Sequence, residues 1–198
     1  MSSPIKILTF AGSARKDSLN KKLARLGAKL CREAGVEAQF IDLLDYNLPL
    51  YDGDYEMNNP YPENATSLKQ HFDHCQGFLI ASPEYNSSVS ALLKNTIDWL
   101  SRSSDGGGDL SVFAGKVVAL VSTSPGQLGG LRGLNHIRQI MSNIGCFVIP
   151  NQLAVGQGLN AFTNDNQLIN EHISDHFNQV IKSLIETTSR MNLELDKL

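Results

Sequence analysis

Five short apolar runs, each separated from the next by a helical pattern, constrain this chain more than any other feature. IKILTF (5–10), AQFIDL (38–43), GFLIA (77–81), KVVALVS (116–122) and CFVI (146–149) read as strands. Leu19, Leu23, Leu26 and Leu30 recur at helical spacing from Ser18 to about Ala34, and Gly35 is a natural stop. Further helical patterns cover about 64–75, Val89–Leu100, Leu128–Ile144 and 164–191. Residues 44–63 hold three prolines and four tyrosines and read as a long loop. Strands that are apolar throughout are buried on both faces, and strands alternating with helices form parallel sheets. Crossover handedness and strand count favour the order 2-1-3-4-5, with helices on both faces. A single domain over residues 1–198 accommodates this pattern, with no internal repeat.

Charge and cysteines narrow the context. A formal net charge of −3 without a basic run argues against a nucleic-acid partner. The start, MSSPIKILTF, shows no charged region followed by a long apolar one, so no signal peptide is expected. No apolar stretch reaches the length of a membrane span. Cys31, Cys75 and Cys146 are an odd, scattered set, which fits a reducing compartment, and a cytoplasmic location is expected.

In an open sheet of this order, ligands bind beyond the carboxyl ends of the strands, between the first and third. Three segments lie there: GSARKDSLN (12–20), SPEYNSS (82–88) and STSPGQLGG (122–130). The first suits a phosphate. Gly12 permits a tight turn, Ser13 and Ser18 offer hydroxyls, Arg15 a charged fork and Asn20 a donor. The helix beginning near Ser18 adds free N–H groups and a positive dipole end. A plainer reading makes Ser18 or Asp17 the helix N-cap and Arg15 a solvated charge. Neither GxGxxG nor a P-loop pattern occurs. In the second segment, Pro83 stiffens the strand exit, so backbone groups meet a heterocycle edge at little ordering cost, and Tyr85 offers an aromatic surface. The plainer reading is a capping loop, with Asn86, Ser87 or Ser88 as N-cap. The glycines of the third allow close backbone approach. Together the three make a cradle for a phosphate, a ribityl chain and a planar ring.

With GSARKDSLN (12–20), PEYNSSVSALLKNTIDW (83–99) and SPGQLGG (124–130), the chain resembles the NADPH-dependent FMN reductase family. These are flavodoxin-like quinone, azo-dye and chromate reductases. The resemblance implies an α/β flavodoxin-like fold, bound FMN, and NADPH or NADH as co-substrate. It implies that Ser13, Arg15, Ser18 and Asn20 hold the FMN phosphate. Pro83, Glu84, Tyr85 and Asn86 would line the isoalloxazine, mainly through the backbone, while Ser124, Gly126 and Gln127 close the other side. It further implies a homodimer or homotetramer with FMN near the subunit interface. The helix at 88–100, with Leu92, Leu93, Ile97, Trp99 and Leu100 on more than one face, fits such a contact. The expected reaction moves a hydride from NAD(P)H to FMN, then two electrons to a quinone-like, azo, flavin or metal-oxyanion acceptor. Without a separate dinucleotide site, nicotinamide and acceptor share the flavin face, which means ping-pong kinetics. No side chain is required as acid or base for the hydride step. Arg102 or Arg132 would meet the extra phosphate of NADPH. Residues 101–115, containing SSDGGGD, are expected to be mobile and to lie beside the interface and substrate entrance.

Sharper chemistry elsewhere lacks partners. His172 and His176, with Asp175, find no third metal ligand, and His71, His74 and Cys75 share that lack. No cysteine has a CxxC partner, and Ser13 is not in GxSxG. Lys94, Asn95, Asp98 and Trp99 read as packing. The alternative class is an electron carrier of flavodoxin type. The mild charge and Arg15 in the phosphate loop speak against it.

Overall fold

A computed structural model describes residues 4–195; Met1–Ser3, part of the leader reading, lie outside them. Five strands, β1 (Lys6–Ala11), β2 (Glu37–Asp42), β3 (Gly77–Ala81), β4 (Val117–Thr123) and β5 (Phe147–Val155), form one parallel sheet in the order β2-β1-β3-β4-β5. The helices are α1 (Leu19–Glu33), α2 (Gly53–Asn58), α3 (Glu63–Asp73), α4 (Ala91–Leu100), α5 (Leu131–Asn143) and α6 (Glu171–Leu195).

Pleating divides the apolar strands between two cores. Phe78 and Ile80 of β3 pack with Leu68 and Phe72 of α3, Leu93 and Ile97 of α4, and Leu134 and Ile137 of α5. Leu79 and Ala81, pointing the other way, meet Leu23 and Ala24 of α1 and Phe177 and Val180 of α6. Each of the Leu, Ile, Val and Phe side chains among them contributes about 1.5–3 kcal/mol of burial. Gly27 lets α1 approach β3: a Cβ there would sit 2.0 Å from the Leu79 side chain.

The structure corrects several sequence expectations. Residues 44–63 are not all loop: a 3-10 turn occupies Leu43–Asp45, and α2 follows. This segment crosses α4. The Trp99 indole N–H donates to the Pro49 carbonyl at 2.7 Å, and the Asn95 amide donates to the same carbonyl and accepts from the Tyr51 N–H. Tyr51, Tyr55 and Tyr61 stand edge-on around the Trp99 ring, with centroids 5.1–5.9 Å away. The second apolar face of α4 is thus covered by its own chain, and it does not argue for a partner.

β5 runs to Val155 rather than Ile149, with a register shift opposite Val118–Leu120. It is an edge strand, so its burial alternates and its polar residues hid it. The Arg138 guanidinium donates to the Gln152 side chain and the Ile149 carbonyl, both at 2.9 Å, holding the edge down. The last helix begins at Glu171 instead of 164. Residues 163–167 close a turn, with Asn166 in the left-handed region, φ 58°.

Residues 101–115 lie at the amino edge of the sheet, between the end of α4 and the start of β4, away from the carboxyl strand ends. α4 runs antiparallel to the strands for ten residues, about 15 Å, and delivers the chain there. The segment is also tied down. Lys69 Nζ donates to Asp109 at 2.6 Å and to the Arg102 carbonyl at 2.7 Å. That ammonium, together with the Ser111 N–H, lowers the Asp109 carboxyl to about 2. Cys31, Cys75 and Cys146 are buried, and desolvation pushes each thiol up to about 12, so they act as small core residues. Among the described residues no three His, Cys, Asp or Glu side chains gather as a metal site, and no helix is long and apolar enough to cross a membrane.

Candidate functional site

β1, β3 and β4 end side by side at Ala11, Ala81 and Val121–Thr123, so the three segments following them converge. Small polar side chains staple these ends together. The Ser90 hydroxyl donates to the Gly12 carbonyl, and the Ser122 hydroxyl to the Ser82 carbonyl at 2.6 Å. The Asn20 amide donates to the Thr123 carbonyl at 2.9 Å, and its oxygen accepts from the Thr123 N–H at 3.0 Å. Asn20 therefore locks the first loop to the end of β4 rather than pointing freely outward.

In the first loop, Ser13 and Ser18 are buried while Arg15 and Asp17 are exposed. The Ser18 oxygen accepts from the Lys21 N–H at 3.3 Å, so the capping role is real, and the hydroxyl proton remains to be donated. The Ser13 oxygen accepts from the Arg15 N–H. The first N–H groups of α1 open toward this loop.

The second loop folds back as a tight turn. The N–H groups of Tyr85 and Ser88 each donate to the other's carbonyl, at 2.9 and 3.1 Å, with Asn86 at φ 50° and Ser87 at φ 64°. Both central residues are left-handed, the pattern of a type I′ turn. A helix cannot begin through these positions, so the cap of α4 is Ser90, not Asn86, Ser87 or Ser88. Pro83 is buried, and Tyr85 and Asn86 stand exposed. The Glu84 carboxylate turns aside to accept from the Gly133 N–H at 2.8 Å, with Arg132 3.9 Å away. It thereby caps α5, leaving only its backbone for the cradle. The left-handed Ser87 costs about 1 kcal/mol that glycine would not. Ser87→Gly should raise stability by about 0.5–1 kcal/mol, visible in thermal unfolding; an unchanged or lower midpoint would count against this turn.

The third loop rests on a segment that the sequence reading missed. The Gln157 N–H donates to the Gly126 carbonyl and the Gly158 N–H to the Ser124 carbonyl, at 3.0 and 2.8 Å. GQG at 156–158, following a strand, was the available signal. Gly129 and Gly156 have no room for side chains, whereas a Cβ on Gly126 would meet nothing closer than 3.8 Å. Gly126 and Gln127 face open space, and the N–H groups of Glu84, Asn86, Gly126 and Gln127 make no hydrogen bond among the described residues. Cavities of about 370 and 300 Å³ lie elsewhere, at the amino edge beside Lys69 and beneath His74. The strand-end cradle is an open shelf.

Arg102 does not join it. Its guanidinium is held by Glu56 at 2.8 and 2.9 Å near the amino edge, so it is unsuited to an NADPH phosphate. Arg132 is exposed on the first turn of α5, beside Glu84. Lys94 pairs with Asp98 along α4, at 2.6 Å.

The strand order and converging loops define a flavodoxin-like α/β protein, with a phosphate-suited helix terminus on one side and free backbone donors on the other. The profile of the NADPH-dependent FMN reductase family matches residues 5–160, and the chain belongs to that family of FMN-using oxidoreductases. It is 34% identical to NADPH:quinone oxidoreductase of Arabidopsis thaliana, over 94% of this chain and 93% of that one. It is 37% identical to quinone reductase of Escherichia coli, over 71% of each. Among solved structures it is similar to FerB, a flavoenzyme NAD(P)H:acceptor oxidoreductase of Paracoccus denitrificans. The TM-score is 0.79 at 25% identity, with 94% of this chain and 98% of that one covered. The residues present fit FMN: buried hydroxyls and an exposed Arg15 at a helix N-terminus, then an open glycine edge with unused N–H donors.

Proposed function

We propose that this chain is an NAD(P)H:quinone oxidoreductase. Its FMN lies across the strand ends, with the phosphate on Ser13, Arg15 and Ser18 and Asn20 bracing that loop from behind. Backbone groups of Pro83, Glu84, Tyr85 and Asn86 meet one edge of the ring, and Ser124, Gly126 and Gln127 the other. The observation that carries this reading is the set of unused N–H donors at Glu84, Asn86, Gly126 and Gln127, ringed around the point where strand order reverses. FMN, when bound, supplies the redox chemistry, accepting a hydride from NADPH and delivering two electrons to the acceptor. The chain holds and orients; Tyr85 offers an aromatic wall to whatever stacks over the shelf. Quinones are favoured as acceptors because the relatives include a 2-hydroxy-1,4-benzoquinone reductase of a Burkholderia species, 37% identical over 75% of both chains. Azo compounds, free flavin and metal oxyanions are further acceptors of the same exposed shelf. A single FMN-binding domain spans residues 1–198, the location is cytoplasmic, and Arg132 is the cation available to the extra phosphate of NADPH.

The assembly is a homodimer or a pair of dimers. Leu44, Tyr85, Leu128 and Leu131 stand exposed in segments that follow the carboxyl strand ends, and a partner would cover them. Because one shelf serves both substrates, nicotinamide must leave before the acceptor enters. Initial rates against NADPH at several quinone concentrations should give parallel double-reciprocal lines. Intersecting lines, with a ternary complex trapped by a dead-end analogue, contradict the shared shelf.

A further inference from the structure

The exposed side of α1 is almost entirely cationic, and nothing in the flavin site uses it. Residues 1–33 contain eight of the 17 Lys and Arg residues but only two of the 20 Asp and Glu. α1 buries Leu23, Ala24, Leu26, Gly27, Ala28 and Cys31. Its outer stripe is therefore Lys22, Arg25, Lys29 and Arg32, with no carboxylate until Glu33. Like charges at i,i+3 and i,i+4 destabilise a helix, so this stripe weakens α1 rather than supporting it.

The stripe also lines a cleft. Lys22, Arg25 and Lys29 face Asp165, Asn166 and Gln167 across a space of about 210 Å³ floored by Leu26. Two of the cations are braced by aromatic rings. The Arg25 guanidinium lies 3.9 Å from the Phe40 ring centroid, and Lys22 Nζ lies 5.9 Å from that of Phe162. A stacked guanidinium keeps its in-plane N–H donors directed outward at low ordering cost. Lys29 reaches Glu33 only at 3.6 Å on the exposed surface. Across the cleft, the 163–167 turn is fixed by the Thr163 and Gln167 backbone pairing and by the left-handed Asn166. Asp165 is the opposing charge in the cleft and makes no ion pair with the three cations.

We propose that this cleft is a second anion site, separate from the cradle, that takes a phosphate group carrying two or more negative charges. Three cations outweigh the one carboxylate, so a monoanion gains little, while a dianionic phosphate or pyrophosphate is held between the Arg25 fork and the two ammoniums. The phosphate arrives either on a free metabolite or on a lipid headgroup.

The test uses FMN-saturated protein at 0.15 M salt. Calorimetric titration with pyrophosphate should show saturable binding. Arg25→Glu combined with Lys29→Glu should weaken it at least tenfold, while Asp165→Asn should tighten it several-fold. Affinity for FMN and quinone turnover should stay unchanged in both variants, which separates this site from the cradle. Sedimentation with phosphatidylcholine vesicles, with and without phosphatidic acid, whose phosphomonoester can carry two charges, distinguishes the sources. Capture by the anionic vesicles alone, reversed by pyrophosphate, assigns a lipid headgroup; pyrophosphate binding without capture assigns a free phosphate. Absence of saturable binding to either probe overturns the proposal. So does binding that the double variant leaves unchanged.

Discussion

Arg15→Ala is expected to weaken FMN binding about 10- to 150-fold, because an arginine–phosphate contact is worth about 1.5–3 kcal/mol. Arg15 is exposed in the loop before α1, flanked by the buried hydroxyls of Ser13 and Ser18. It makes no ion pair among the described residues, so its removal strips charge from the phosphate site without opening a core. The loss should be specific to the phosphate. Riboflavin should bind the native chain far more weakly than FMN, and Arg15→Ala should hardly change it. Fluorescence titration with both flavins measures this. Equal affinities of the native protein for FMN and riboflavin would mean that this loop does not hold the phosphate.

Gly129→Val should remove both flavin binding and much of the stability. A Cβ at Gly129 would lie 2.5 Å from the Val155 carbonyl carbon and 2.7 Å from the Gly156 nitrogen. Those are backbone atoms at the end of β5, so no rotamer relieves the clash. Gly129 is also left-handed, at φ 62°, which a β-branched residue resists. Together these effects cost about 3 kcal/mol or more, lowering the thermal midpoint by roughly 6–12 °C for a chain of this size. The displaced loop carries Gly126 and Gln127, so FMN affinity falls with it. Gly106→Val is the control. Gly106 is also left-handed, at φ 84°, but no atom lies within 4 Å of its Cβ, and it sits at the amino edge. It should pay the conformational strain alone and leave FMN binding intact. A Gly129→Val protein with native flavin affinity would contradict the seam between the third loop and β5.

Much of this architecture was legible in the sequence because parallel strands buried on both faces cannot hide. GFLIA stands at 77–81 in both readings, and the order 2-1-3-4-5 followed from alternation and handedness. What failed was local. β5 is an edge strand, so Pro150, Asn151 and Gln152 broke its apolar run. α2 and the tyrosines around Trp99 are held by tertiary contacts across α4, which no local period reports. In the cradle, the residue types were visible but their directions were not. Asn20 looked like a phosphate donor, and Glu84 was expected at the ring mainly through its backbone; the fold spends the Asn20 amide on β4 and the Glu84 carboxylate on α5. The staples from Ser90 and Ser122 were hidden because single serines at strand ends carry no pattern.

The central claim is that electrons enter from NADPH while the FMN sits on the strand-end shelf. Anaerobic mixing of the FMN-loaded protein with NADPH, followed at the flavin absorbance near 450 nm, tests it most directly. Bleaching within seconds, with colour restored by one equivalent of quinone, is the predicted result. A protein that stays yellow under NADPH, yet bleaches with dithionite, would instead be a carrier of the flavodoxin type.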